Sequence, residues 1–279
     1  MKRSYFSLAY RKVGSVRNQS ILTLALAALP LFLFASVSSA QIPRSSSPNP
    51  LRIAAAADLE PVLPTLEAQY QRATGVRIIA SFASSATLTQ QILNGDPQDL
   101  FLSADAAHPQ ILVNAGRSTE PSPIPYARGV LVLWARRDSP AQPISLHSLT
   151  NPGVRKIAIA NGLHAPYGIA ADQALTSLHL SSQLASKLVI AENIGQTAEF
   201  AESGNAQAAL ISLTIGNSTH ARAIGSFVRI PTATYQPIRQ CAVILKSSPN
   251  QAEAQRFLRW LTSQKIQQSL PSLGLDPAN

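Results

Sequence analysis

The chain of 279 residues is 46% apolar and 13% charged, enough apolar material for one large or two small domains and too little charge for a disordered coil. The net charge of +9 argues only weakly for nucleic acid, because five positive residues, Lys2, Arg3, Arg11, Lys12 and Arg17, lie in residues 1–40 with no acid among them. One cysteine, Cys241, excludes an intrachain disulfide framework and any multi-cysteine metal cluster.

Residues 1–40 read as a cleaved export signal. A basic segment precedes the apolar run Ile21–Ala35, which contains Pro30 and is shorter than a bilayer span, and Ser38-Ser39-Ala40 supplies small residues before a cut at Gln41. Residues 41–50 (QIPRSSSPNP) read as a linker. From Leu51 onward, short apolar runs alternate with helical patterns. Leu51–Ala55 is a strand, and Leu59, Val62, Leu63, Leu66 and Tyr70 mark an amphipathic helix that Thr74-Gly75 closes. Val76–Phe82 is a strand, followed by a helix marked by Leu88, Ile92 and Leu93. Asp99–Leu102 is a strand and Pro109–Ala115 a helix. Further strands are expected at Val130–Trp134, Ile157–Ala160, Leu188–Ile190, Ala208–Leu213 and Arg239–Lys246, with helices at Tyr167–Leu178, Ile194–Ser203 and Ala252–Leu270, the last broken near Ser263. This alternation predicts an α/β protein with mostly parallel sheets.

Three strand-to-helix loops share one chemistry. Ala56-Ala57-Asp58, Ala83-Ser84-Ser85-Ala86 and Asn193-Ile194-Gly195 each set small side chains at a helix start. Such side chains leave backbone N–H groups open at the positive end of a helix dipole, on the sheet edge where open α/β sheets bind ligands. Any one loop is explained as well by ordinary capping through Asp58, Ser84 or Ser85. The sequence contains no G-x-S-x-G nucleophile turn and no phosphate-binding G-x-x-x-x-G-K-[ST] loop. His164 stands without a second ligand at metal spacing and reads as a turn residue, and Cys241 sits in the apolar stretch CAVIL as a core residue.

The segments AAAADL (54–59), SFASSATLTQQI (81–92), NGDPQDLFLSAD (94–105), KIAIANGLHAPYGIAADQAL (156–175), AENIGQTAEF (191–200) and PIRQCAVILK (237–246) occur in the order found in the periplasmic molybdate-binding proteins of molybdate ABC transporters, and the chain resembles that family over nearly all of its length after residue 50. The resemblance implies a two-lobed periplasmic-binding-protein fold with the ligand cleft between lobes. Residues 51–134 with 237–279 would form one lobe and 135–236 the other, with crossings near Trp134 and Pro237. It implies a binding protein rather than an enzyme, periplasmic and monomeric, with no cofactor and no nucleic-acid partner. Its ligand would be molybdate or tungstate, delivered to an ABC permease; the alternative is a binding protein of the same fold for another ligand such as sulfate. By the same resemblance, Asp58, Ser85, Tyr167, Ile194 and Ser212 would hold the oxyanion through hydroxyl and backbone N–H donors, with no residue coordinating the metal atom itself. Asp58 stands where many members have serine. A carboxylate facing a dianion would repel it, so the Asp58 side chain is expected to turn back and cap its own helix. Ser212 stands where some members have tyrosine.

Overall fold

The computed structural model describes residues 49–278; the export segment 1–40 and the linker up to residue 48 lie outside the described residues. Two five-stranded sheets organise the chain. The first has the order β2-β1-β3-β10-β4, formed by β1 (Leu51–Ala56), β2 (Ile78–Ala83), β3 (Leu100–Ser103), β4 (Ile124–Gly129) and β10 (Ile238–Ile244). The second has the order β7-β6-β8-β5-β9, formed by β5 (Leu131–Arg136), β6 (Ile157–Ala160), β7 (Leu188–Ala191), β8 (Ala208–Ser212) and β9 (Gly225–Arg229).

Helices α1 (Leu63–Thr74), α2 (Ser85–Leu93) and α3 (Ala107–Asn114) lie between strands of the first sheet, and α9 (Gln251–Leu261) and α10 (Gln264–Leu273) follow β10. Helices α4 (Pro166–Ser177), α5 (Ser181–Leu184), α6 (Ile194–Glu202), α7 (Leu213–Gly216) and α8 (Thr219–Ile224) belong to the second half. Central strands β3, β6 and β8 are buried along their whole length, as strands covered by helices on both faces must be. Edge strand β2 alternates between half-buried and exposed residues over most of its length. Tyr70, Phe257 and Trp260 pack as an aromatic cluster under the first sheet, with Tyr70 and Phe257 edge to face at 5.0 Å.

The sheets are mixed rather than mostly parallel. Strands β1, β2 and β3 pair in parallel, as do β6, β7 and β8, but β10 runs antiparallel to β3 and β4, and β5 antiparallel to β8 and β9. Strand β5 belongs to the second sheet, so the first crossing falls at Val130, between Gly129 and Leu131, rather than near Trp134. The second crossing spans 230–237. Strands β4 and β9 carry no strong strand pattern: β4 holds Pro125 and ends in Gly129, and β9 begins at Gly225. Both sit at sheet edges, where such residues are tolerated.

Candidate functional site

The C-terminal ends of β1, β2, β6 and β7 converge on one small cavity. Its lining includes Ala57, Asp58, Ser84, Ser85, Tyr167 and Ile194, and there is no lysine, arginine or histidine among the lining residues. Helices α2, α4 and α6 begin here, each on a different strand-to-helix loop. At these starts the N–H groups of Ala86, Thr87, Gly168 and Gln196 are taken by the His164 carbonyl, Ser84 Oγ, the Ala165 carbonyl and Asn193 Oδ1, which leaves those of Ser85, Tyr167 and Ile194 at three positive helix ends that meet at one point.

Each loop is shaped by its own residues. At α2, Ser84 is the cap: its Oγ accepts from the Thr87 N–H at 3.2 Å and shares a hydrogen bond with Thr87 Oγ1 at 2.7 Å. The Ser85 Oγ accepts from the Ala104 N–H at 3.1 Å. With that acceptor role filled, the Ser85 hydroxyl proton is left to donate. At α6, Asn193 caps through its side chain, which accepts from the Gln196 N–H at 3.0 Å, leaving Ile194 at the first helical position. At α4, Pro166 starts the helix and Tyr167 follows it. Gly168 lets this end of α4 lie directly on β6, since a Cβ there would collide with the Ala160 carbonyl and the Gly162 N–H.

Asp58 departs from the expected cap. The 3-10 turn Ala57–Leu59 that carries it has no side-chain cap. Its carboxylate turns instead to one partner from each half: Oδ2 accepts from Tyr167 Oη of α4 at 3.1 Å and from Gln240 Nε2 of β10, in the first sheet, at 2.5 Å, and Gln240 Nε2 also donates to Tyr167 Oη at 3.2 Å. Asp58 is wholly buried, and burial pushes its pKa up to about 7 against the opposing effect of these two hydrogen bonds. The Tyr167 hydroxyl has room for this reach because residue 129 is glycine, where a Cβ would overlap it.

The structure brings Asp58, Ser85, Tyr167 and Ile194 to the lining of one cavity, and Ser212 is not among its lining residues. The Ser212 hydroxyl caps α7, accepting from Ile215 N–H at 3.4 Å and pairing with Thr214 Oγ1 at 2.7 Å. Thr214 Oγ1 in turn donates to the Asp58 carbonyl at 2.6 Å, so this pair supports the Asp58 turn from beneath. Gln240 was not among the expected site residues. It lies 182 positions from Asp58, and its one local signal is a bulge between Gln240 and Cys241 where β10 pairs with β4, an irregularity that re-aims a side chain. His164 is a turn residue whose carbonyl accepts from the Ala86 N–H at 3.2 Å, and Cys241 is buried. Among the described residues no cluster of three or more His, Cys, Asp or Glu is arranged to hold a metal ion.

The profile of the bacterial extracellular solute-binding protein family matches residues 51–275. The chain is 32% identical over 224 residues to the molybdate-binding protein ModA of Azotobacter vinelandii, which covers 80% of this chain and 88% of that protein. It is 35% identical over 196 residues to ModA of Rhodobacter capsulatus, covering 70% and 75%. The solved structure of the Azotobacter vinelandii periplasmic molybdate-binding protein superposes with a TM-score of 0.73 at 33% identity, over 81% of this chain and 98% of that one. With its two α/β lobes and a cavity at their facing strand ends, this chain belongs to the bacterial extracellular solute-binding protein family, as a homologue of the molybdate-binding proteins.

Proposed function

We propose that the protein captures molybdate, and tungstate also, in the periplasm after export by its cleaved N-terminal segment, and delivers it as a monomer to an ABC permease. It acts as a carrier, with no chemistry performed on the ion. The observation that carries the reading is the cavity itself: three helix starts and the Ser85 hydroxyl surround a space whose lining holds no cationic side chain. Ser85, Tyr167 and Ile194 are the proposed donors, Ser85 through its hydroxyl and the other two through backbone N–H groups. Hydrogen bonds to a charged group contribute about 1.5–3 kcal/mol each, and neutral donors avoid the cost of burying a lysine or arginine. The ligand names of the relatives support molybdate over other tetrahedral anions. A rigid ring of donors favours the ion whose radius lets all of them engage, so sulfate, which is smaller, is expected to bind poorly.

Thermal unfolding tests this. Ligand at 100 times its Kd adds about 2.7 kcal/mol of stability. Molybdate and tungstate are each expected to raise the melting temperature, and sulfate at the same concentration to leave it unchanged. A sulfate shift as large as that of molybdate would overturn the size argument and point to a general sulfate-type carrier.

A further inference from the structure

Asp58 is the one carboxyl group in a wall of neutral donors, and its two oxygens are unequally served. Oδ2 accepts from Tyr167 and Gln240, whereas Oδ1 is buried with no hydrogen-bond partner, as is the neighbouring Gln240 Oε1. An ionised Oδ1 would be a buried acceptor with nothing to accept, beside a cavity meant for an anion. A protonated Oδ1 is a donor awaiting an acceptor, and an oxyanion oxygen is such an acceptor.

Resting on the oxyanion reading above, we propose that Asp58 holds a proton in the liganded protein and donates it as a hydrogen bond to the bound ion, so that each oxyanion enters the site together with one proton. The proton comes from solvent and stays on the carboxyl; no bond to the ion forms or breaks. The surroundings favour this. Burial already pushes Asp58 up to about 7 before any anion is present, and an anion raises it further. The titratable groups around it supply no compensating cation. Tyr167 on α4 and Tyr126 on β4 both sense its charge, and burial raises both well above the ordinary tyrosine value, so they stay neutral. On β10, burial pushes the Cys241 thiol up to about 11, and Arg239, the one cation of that strand, is exposed; Asp105, after β3, adds a further negative group that acts on Tyr126 and Cys241. Strand β2 and helix α7, which pack on the Asp58 turn, have no titratable residue, and Glu199 and Glu202 of α6 lie in the half of that helix away from the site. Glu60, next but one in the chain, is exposed.

The test is calorimetry of molybdate binding in buffers of different ionisation enthalpy, from pH 5.5 to 9. About one proton taken up per ion at pH 8, falling toward zero below pH 6, is the expected result, with Kd rising about tenfold per pH unit above 7. Asp58→Asn is expected to abolish both the uptake and the slope. Infrared difference spectra of the wild-type protein supply a readout that needs no variant: adding molybdate at pH 8 should create the carbonyl band of a protonated carboxyl. Molybdate binding with no proton uptake, no pH slope and no such band overturns the proposal while leaving the carrier function standing. Absence of binding at every pH overturns both.

Discussion

Ser84 and Ser85 are adjacent, yet the backbone gives them different work. Ser84 caps α2, and replacing such a cap by alanine costs about 1 kcal/mol of stability. Ser85 offers its proton to the cavity while accepting from the buried Ala104 N–H. Ser85→Ala is therefore expected to weaken molybdate binding by about one to two powers of ten, and also to destabilise the ligand-free protein by about 1–3 kcal/mol, because that N–H loses its acceptor. Ser84→Ala should weaken binding far less. Titration and ligand-free melting of both variants check this; the greater loss of affinity in Ser84→Ala would mean that the wrong serine has been assigned to the ion. Asp58 makes a second prediction at the same scale. Its pKa lies near 7 in the folded protein and near 3.9 in the unfolded chain. Its contribution is then fully present below about pH 4 and fades as pH rises through 7, because folding favours its protonated form. The ligand-free wild type should lose up to about 4 kcal/mol relative to Asp58→Asn between pH 4 and 8, read from denaturant unfolding of both proteins. A constant difference across that range would place the Asp58 carboxyl in a wetter site than the structure gives it.

Helix starts supply most of the site, and the elements that bear them depend on close approach. Gly168 sits where α4 rests on β6, and Gly168→Ala would push the Pro166-Tyr167 corner off the Ala160 carbonyl. It is expected to cost about 1–3 kcal/mol of stability, as overpacking does, and to weaken ligand binding with it. Chemical denaturation and a molybdate titration of the variant measure the two effects. The loops 56–58, 83–86 and 193–195 were legible because small residues after an apolar run mark a helix start locally. The chemistry at Asp58 was not, because its partners Tyr167 and Gln240 stand 109 and 182 positions away and only folding brings them together. The expected cap failed for the same reason: the turn is a short 3-10 segment with its own side-chain geometry, and a distant amide outcompetes the local N–H groups. Strands β4 and β9 carry little local signal because edge strands need little apolar patterning, and the run ending at Trp134 does not reveal its sheet because a strand records nothing locally about which neighbour it pairs with.

Across the whole molecule, the two halves touch at the site and also beside it, where Asn217 Nδ2 donates to the Ser272 carbonyl at 3.2 Å. Tyr167 Oη donates to Asp58, Thr214 Oγ1 donates to the Asp58 carbonyl, and the Ala86 N–H donates to the His164 carbonyl, each bond joining the first-sheet half to the second. These contacts describe a closed cleft, with the cavity between the lobes. Two short crossings, at Val130 and over 230–237, connect the halves, the geometry of a hinge. Thr214→Val keeps the shape of the side chain but removes the donor to Asp58. It is expected to loosen closure and to speed molybdate dissociation about tenfold, the effect of one hydrogen bond of about 1.4 kcal/mol, with little change in association. Stopped-flow dissociation measures it; an unchanged off-rate would remove Thr214 from the closure.

The central claim is that a ring of neutral donors between two lobes selects a tetrahedral oxyanion of molybdate size. Competition calorimetry is its most direct test: molybdate is titrated into the purified protein at pH 7, alone and in the presence of a large excess of sulfate. The account predicts one ion bound per chain, an enthalpy and affinity unmoved by the sulfate, and full displacement by tungstate. Loss of molybdate binding in the presence of sulfate, or a stoichiometry other than one, would contradict it.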